Sequence, residues 1–261
     1  MTEIFLYSLL LGLFAGVAAG LFGIGGGALI VPVLSWVLAA HQFNPEHLLL
    51  IAVATSLATA FFTSIASVRS HHQLGNINWQ RSLRLGPSML IGASGGAVLA
   101  EFISAEWLRW FFVCYLLYTS VQMARPKTSA SSGSRHLWLD YPMGLLIGGL
   151  SAILGIGGGT MTVPYLVSNG LIMKNAVATS SSCALPIALS AAVSYAALGW
   201  HDSQLPVGSL GYIYLPAFAG IVLTSMFTAP LGAKLAHRLP AQRLKRYFAI
   251  VLLFLALKMV W

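Results

Sequence analysis

The sequence predicts an all-α membrane protein: a helical bundle of two inverted repeats, each with a glycine-rich broken helix or hairpin followed by three to four transmembrane helices. Three observations predict it, namely the scarcity of charge, a set of long apolar runs, and a series of motifs that occurs twice in the same order. Of 261 residues, 57% are hydrophobic and only 8% charged, and the mean hydropathy is +0.82. An ordinary soluble domain carries about 25% charged residues. So few charges cannot cover a water-facing surface.

The runs Ile4 to Phe22, Leu48 to Val68 and Ala249 to Val260 approach or reach the roughly 20 apolar residues that a helix needs to cross ~30 Å of hydrocarbon. Several such runs imply a bundle rather than a single anchor, with the lipid bilayer as a partner. The net charge of +8 does not point to nucleic acid, because the Lys and Arg residues fall mainly in short polar segments between apolar runs, where they orient a membrane protein. Cys114 and Cys183 lie inside apolar runs, so they suggest neither a disulfide framework nor metal ligation. Ile4 to Ala19 has the length of a signal-peptide core, but its flank carries Glu3 and no Lys or Arg. Its place in the repeat argues against cleavage.

That repeat begins with Gly23-Ile24-Gly25-Gly26-Gly27 and Val31-Pro32, which return as Gly155-Ile156-Gly157-Gly158-Gly159 and Val163-Pro164 at an offset of 132 residues. Ala52-Val53-Ala54-Thr55-Ser56 returns as Ala176-Val177-Ala178-Thr179-Ser180 at an offset of 124, and a Gly-Ala/Leu-Ala block from Gly96 to Phe112 returns at Gly232 to Phe248 at an offset of 136. Three collinear matches indicate duplication. The first transmembrane repeat is therefore 1–123, the second 141–261, and 124–140 a cytoplasmic linker marked by Arg125-Pro126-Lys127 and a Ser/Gly-rich run.

Charge sets the topology. The segments Arg69 to Arg84, Arg125 to Arg135 and Lys234 to Arg246 are basic, whereas the turn with Glu101 and Glu106 and the loop with Asp202 are not. Placing the basic segments in the cytoplasm requires an odd number of crossings, or a re-entrant hairpin, in each half, which inverts one half relative to the other. Ile4 to Ala40 is too long for one span and is interrupted at Gly25 to Gly27, so the hairpin is expected there. Its partner is Tyr141 to Leu171. The other spans are expected near Leu48 to Val68, Leu83 to Ala100, Trp107 to Met123, Val177 to Leu198, Tyr212 to Leu231 and Tyr247 to Val260.

Three successive glycines weaken a helix and free backbone groups that hydrocarbon cannot satisfy, so they must face protein or a water-filled cavity. New helices beginning at Ala28 and Thr160 would present unpaired N–H groups and the positive end of a dipole to an anion. The expected binding residues for a small anionic substrate are Gly25, Gly26, Gly27, Gly157, Gly158, Gly159 and Thr160, with hydroxyl donors from Thr55, Ser56, Thr179 and Ser180. Hydroxyls in membrane helices also bond their own backbone, which is the competing role for the last four. Gly12, Gly16 and Gly20, spaced by four, read instead as a helix-packing stripe. The six acidic residues, Glu3, Glu46, Glu101, Glu106, Asp140 and Asp202, all fall at expected span ends, leaving no evident buried carboxylate. Arg69, Arg84, Arg109 and Lys174 are placed to attract an anion or to snorkel.

At these glycine and Thr-Ser motifs the chain resembles the TauE/SafE family of sulfite exporters over nearly its whole length. Gly23 to Pro32 and Gly155 to Pro164 carry the resemblance, together with Ala52 to Ser56 and Ala176 to Ser180; the connection Leu34 to Leu50 is longer than its counterpart. The resemblance implies export or uptake of sulfite, sulfonates or related sulfur-containing anions, and the expected function is a secondary transporter in the cell membrane, with export favoured. It implies no prosthetic group and no metal, and leaves homo-oligomerisation open. A passive anion channel would share every feature named so far. Gly92-Ala93-Ser94-Gly95 resembles an intramembrane serine nucleophile, a reading that needs a histidine on a neighbouring span. Gly23-x-Gly25 is not a dinucleotide loop, because no strand precedes it.

Overall fold

The computed structural model describes residues 2–23, 25–124, 137–238 and 241–260. The first half comprises α1 (Thr2–Phe22), α2 (Gly27–Ala40), α3 (Pro45–Gln73), α4 (Trp79–Phe102) and α5 (Ala105–Ala124). The second comprises α6 (Asp140–Ile153), α7 (Gly159–Ser168), α8 (Met173–Leu198), α9 (Leu215–Arg238) and α10 (Ala241–Val260). A short hairpin, β1 (Ser209–Leu210) with β2 (Ile213–Tyr214), sits in the α8–α9 connection and is, among the described residues, the one departure from the all-α expectation. Much of the expected linker, 125–136, lies outside the described residues.

Local signals explain where the long helices start. Asn44 caps α3 by accepting from the Glu46 N–H, with Pro45 in the first turn, and Asn78 caps α4 by accepting from the Arg81 N–H. Proline fits the first turn because that N–H has no intrahelical acceptor. The 29 residues of α3 extend about 43 Å.

The expected interruptions are present. Glu3 at the start of α1 meets His41, just past the end of α2, at 3.3 Å, so α1 and α2 fold back as a hairpin. In the second half, Asp140 at the start of α6 accepts a hydrogen bond from Tyr165 in α7, so these helices return to the same end as well. The new helices begin at Gly27 and Gly159, one residue before the expected starts.

Packing is reciprocal between the halves. α1 lies along α9 and α4 along α6; α3 packs on α8 and α9, while α8 packs on α3 and α4. α5 and α10 pair with each other, and the short helices α2 and α7 rest on α3 and α8. Exchanging each helix for its counterpart in the other half reproduces each of these pairings. The small-residue stripe does what its spacing suggests: a Cβ on Gly12, Gly16 or Gly20 would fall on Thr224, Thr228 or the Ala229 carbonyl of α9. Such close backbone approach brings van der Waals packing and interhelical hydrogen bonds, here from Thr224 to the Leu9 carbonyl, which hold helices together in lipid.

Among the described residues, α1, α3, α4, α8 and α9 are long and apolar enough to cross a membrane. Their outward faces carry large exposed side chains such as Phe14, Leu83, Ile91 and Phe227, and exposed tryptophans lie near helix ends at Trp107, Trp138 and Trp200. This is the surface of a protein solvated by lipid, with aromatic residues at the interfaces.

Candidate functional site

The two glycine turns meet in the middle of the bundle. A Cβ on Gly25 would sit 3.1 Å from the Gly157 Cα, and one on Gly27 would fall on the Gly155 carbonyl oxygen, 3.0 Å from Ser56 Oγ. Neither position can carry a side chain without moving backbone of the other half. Gly26 and Gly158 are the N-cap residues of α2 and α7 and adopt the same left-handed conformation, with φ of 80° and 76°. A residue with a Cβ is strained there.

Neither cap is made by a side chain. The Gly26 carbonyl accepts from the N–H groups of Leu29 and Ile30, and the Gly158 carbonyl accepts from those of Met161 and Thr162. The preceding N–H groups belong to the first turn, which has no intrahelical acceptor. Gly25 and Gly27 therefore touch the turn at Gly155 to Gly157, whereas the Cβ positions of Gly26 and Gly158 face Ala15 of α1 and Ile187 of α8 in their own halves; α2 and α7 both start beside this contact.

The Thr-Ser pairs do something that could not be read from their own segments. Ser56 Oγ donates to the Gly155 carbonyl at 2.8 Å and Ser180 Oγ donates to the Gly23 carbonyl at 3.2 Å. Thr55 Oγ1 accepts from the Tyr214 N–H and Thr179 Oγ1 accepts from the Asn78 N–H, each at 3.0 Å. Each half thus secures the glycine turn of the other half and the backbone just before its long helix, α9 or α4. All four residues are fully buried, and the single proton on each serine hydroxyl is committed to a carbonyl. Ser56 and Ser180 lie beside the glycine turns, Thr55 and Thr179 hold the backbone before α9 and α4, and the bonds of all four join the two halves.

Two further hydroxyls lie at the second turn. Ser151, near the end of α6, and Thr160, in the first turn of α7, are 1% and 7% exposed, and neither has a hydrogen-bond partner among the described residues. Thr160 was expected at the site. Ser151 was not, since a lone serine in an apolar helix carries no signal of its own.

One sequence expectation is corrected. Asp140, although it begins a helix, is completely buried, and its carboxylate oxygens accept from one Arg81 guanidinium nitrogen at 2.8 and 2.7 Å. Tyr165 donates a third hydrogen bond to it at 2.7 Å. The bundle therefore does hold a buried carboxylate. Burial without a partner would be prohibitive, and Arg81 from α4 supplies the partner. Of the outer basic residues, Arg69, Arg109 and Lys174 are exposed and Arg84 is half-buried. Ser94 Oγ lies 2.6 Å from Ser190 Oγ, so the hydroxyl suggested as a nucleophile is paired with another hydroxyl. Among the described residues, no three His, Cys, Asp or Glu side chains cluster as metal ligands would.

The chain is thus a multi-pass helical bundle with paired helix interruptions at its centre, and its relatives are named as membrane transporters. The profile described as sulfite exporter TauE/SafE matches residues 8–259, and the chain belongs to that family. It is 37% identical to a probable membrane transporter protein of Haemophilus influenzae, covering 99% of each chain. It is 27% identical to one of Methanocaldococcus jannaschii, covering 94% of this chain and 91% of the other. A third similar protein, the probable membrane transporter YunE of Bacillus subtilis, is 25% identical over 98% of this chain and 97% of its own. No solved structure gives a significant match.

Proposed function

We propose that the protein is a secondary carrier exporting a small sulfur-containing oxyanion, sulfite or a sulfonate, and that the anion binds where the two glycine turns meet. The observation that carries this reading is the convergence of two helix N-termini, both capped by glycine alone, inside a membrane protein. Each N-terminus presents about half a positive charge, together with first-turn N–H groups that have no intrahelical acceptor. Away from water such donors are strong, yet as neutral groups they release an anion more readily than an arginine would.

The carrier reading includes an inverted arrangement of the halves. Its support is the way the ends of α3 and α8 meet. Near the start of α3, His47 lies 3.7 Å from Asp202, which follows the end of α8, while Asn78, which follows α3, bonds Thr179 near the start of α8. Equivalent helices that run antiparallel belong to halves of opposite orientation. With hairpins at α1–α2 and α6–α7, each half crosses three times, and the basic segment Arg69 to Arg84 falls on the same side as the linker. That side is cytoplasmic by the distribution of Lys and Arg. The membrane potential then contributes about 2.3 kcal/mol per 100 mV to expelling a monovalent anion.

Counterflow in proteoliposomes tests the reading with sulfite, sulfate, thiosulfate, taurine and sulfoacetate as probes. Transient accumulation of labelled sulfite or a sulfonate against an unlabelled internal pool is the expected result. Flux without counterflow at saturating concentration would mean a channel, and flux of none of these probes would overturn the substrate class.

A further inference from the structure

Resting on the reading above, we propose that Ser151 Oγ and Thr160 Oγ1 are the side-chain ligands of the transported anion, so that the second half's turn supplies the side-chain hydrogen bonds and the first half's turn supplies none. Ser56 and Ser180 donate to glycine-turn carbonyls of the opposite half, Thr55 and Thr179 accept from the Tyr214 and Asn78 N–H groups just before α9 and α4, and Thr162 Oγ1 donates to the Gly158 carbonyl at 2.9 Å. Ser151 and Thr160 remain, both more than nine-tenths buried and both without a partner among the described residues.

They flank one helix start. Thr160 is the second residue of α7. Ser151 reaches over the cap from α6, its Oγ 3.3 Å from where a Cβ of Gly158 would lie. Each buried hydroxyl without a partner calls for an explanation; Ser8, Tyr115 and Ser209 share that state elsewhere among the described residues, and what sets Ser151 and Thr160 apart is that both stand at one helix start. A ligand that accepts hydrogen bonds at the same uncapped N-terminus provides it, since hydroxyl protons and backbone N–H groups would then point at one set of oxygens.

The repeat itself provides a control. At the offset of 132 residues, Ser151 corresponds to Ala19 and Thr160 to Ala28, both buried and apolar. The fold therefore does not need hydroxyls at these places, because it builds the same turn without them. A site with side-chain donors on one flank suits an oxyanion that gathers its oxygens on one side, such as pyramidal sulfite or an alkyl sulfonate, better than sulfate, whose oxygens point in every direction.

The test uses the full-length protein in proteoliposomes and, as probe, whichever of sulfite, thiosulfate, taurine and sulfoacetate gives the largest wild-type counterflow. Thr160→Val, which keeps the shape and removes the hydroxyl, and Ser151→Ala should each raise KM roughly tenfold, while Thr160→Ser stays within about twofold of wild type. Without ligand both deletion variants should melt no lower than wild type, because each loses an unpartnered buried group, yet the rise in melting temperature on adding the probe should shrink. Sulfate should compete less well than the probe in wild type, and this preference should narrow in Thr160→Val. Unchanged KM and an unchanged ligand-induced shift in both deletion variants would overturn the assignment. If either variant fails to fold, the other and Thr160→Ser still decide it. Absence of wild-type counterflow for all four candidate probes would instead strike the proposed function itself.

Discussion

Breaking the Arg81–Asp140 pair should destabilise the protein far more than removing it altogether. Asp140→Asn preserves the shape of the side chain and an oxygen for the Tyr165 hydroxyl, but leaves the Arg81 charge in a site where the pair's side chains are 7% and 0% exposed. Removing one partner of a buried pair costs about 3–5 kcal/mol, because the remaining charge is uncompensated. For a chain of this size each kcal/mol corresponds to about 2–4 °C, so Asp140→Asn and Arg81→Met should each lower the melting temperature by roughly 10 °C. The combination Arg81→Met with Asp140→Asn removes both charges and should recover most of that loss. Cys183 is 1% exposed and reports unfolding through its reaction with a thiol dye, in a Cys114→Ser background because Cys114 is exposed already. Single variants melting within about 2 °C of wild type, or a double variant no better than the worse single, would refute the reasoning.

Gly26→Val and Gly158→Val should abolish counterflow while the protein still inserts in the membrane, since both positions have positive φ, which a β-branched residue rarely adopts; normal flux would show that the turns are not the site. Gly27→Ala drives a methyl group into the Gly155 carbonyl and should cost about 1–3 kcal/mol in thermal unfolding. Thr55→Ala and Thr179→Ala each orphan a backbone N–H, of Tyr214 or Asn78, and should cost about 1–3 kcal/mol, read in the same melting assay. Leu74→Cys and Gln204→Cys, both at exposed positions, should be labelled from opposite sides of the membrane by an impermeant maleimide; labelling of both from one side would contradict the proposed crossings.

Features set by neighbouring residues could be read directly. Gly25-Gly26-Gly27 and Gly157-Gly158-Gly159 announce an interruption because no helix-favouring side chain is present, and Gly12, Gly16 and Gly20 announce a packing face through their spacing alone. The partners of the Thr-Ser pairs could not be read, since they lie 99 to 159 residues away along the chain. A hydroxyl inside an apolar span looks the same whether it faces a solute, its own carbonyl or another helix. Asp140 was read as a terminal residue for a similar reason. A carboxylate in the first turn of a helix ordinarily answers the helix dipole in water, and only the fold shows Arg81 beside it. Ser151 has neither motif nor spacing, and its unpartnered state is a property of the assembled bundle.

The crossed hydrogen bonds also bear on the order in which the chain can be completed. Ser180 is made 157 residues after Gly23, whose carbonyl it satisfies, so at ordinary elongation rates the first hairpin waits about 10–30 s for that bond. During that interval its open turn must be tended by water, lipid headgroups or the insertion machinery. A ribosome paused before α8 would accordingly hold a nascent chain whose leading hairpin remains accessible to proteolysis or labelling, and closure would coincide with emergence of the second Thr-Ser pair.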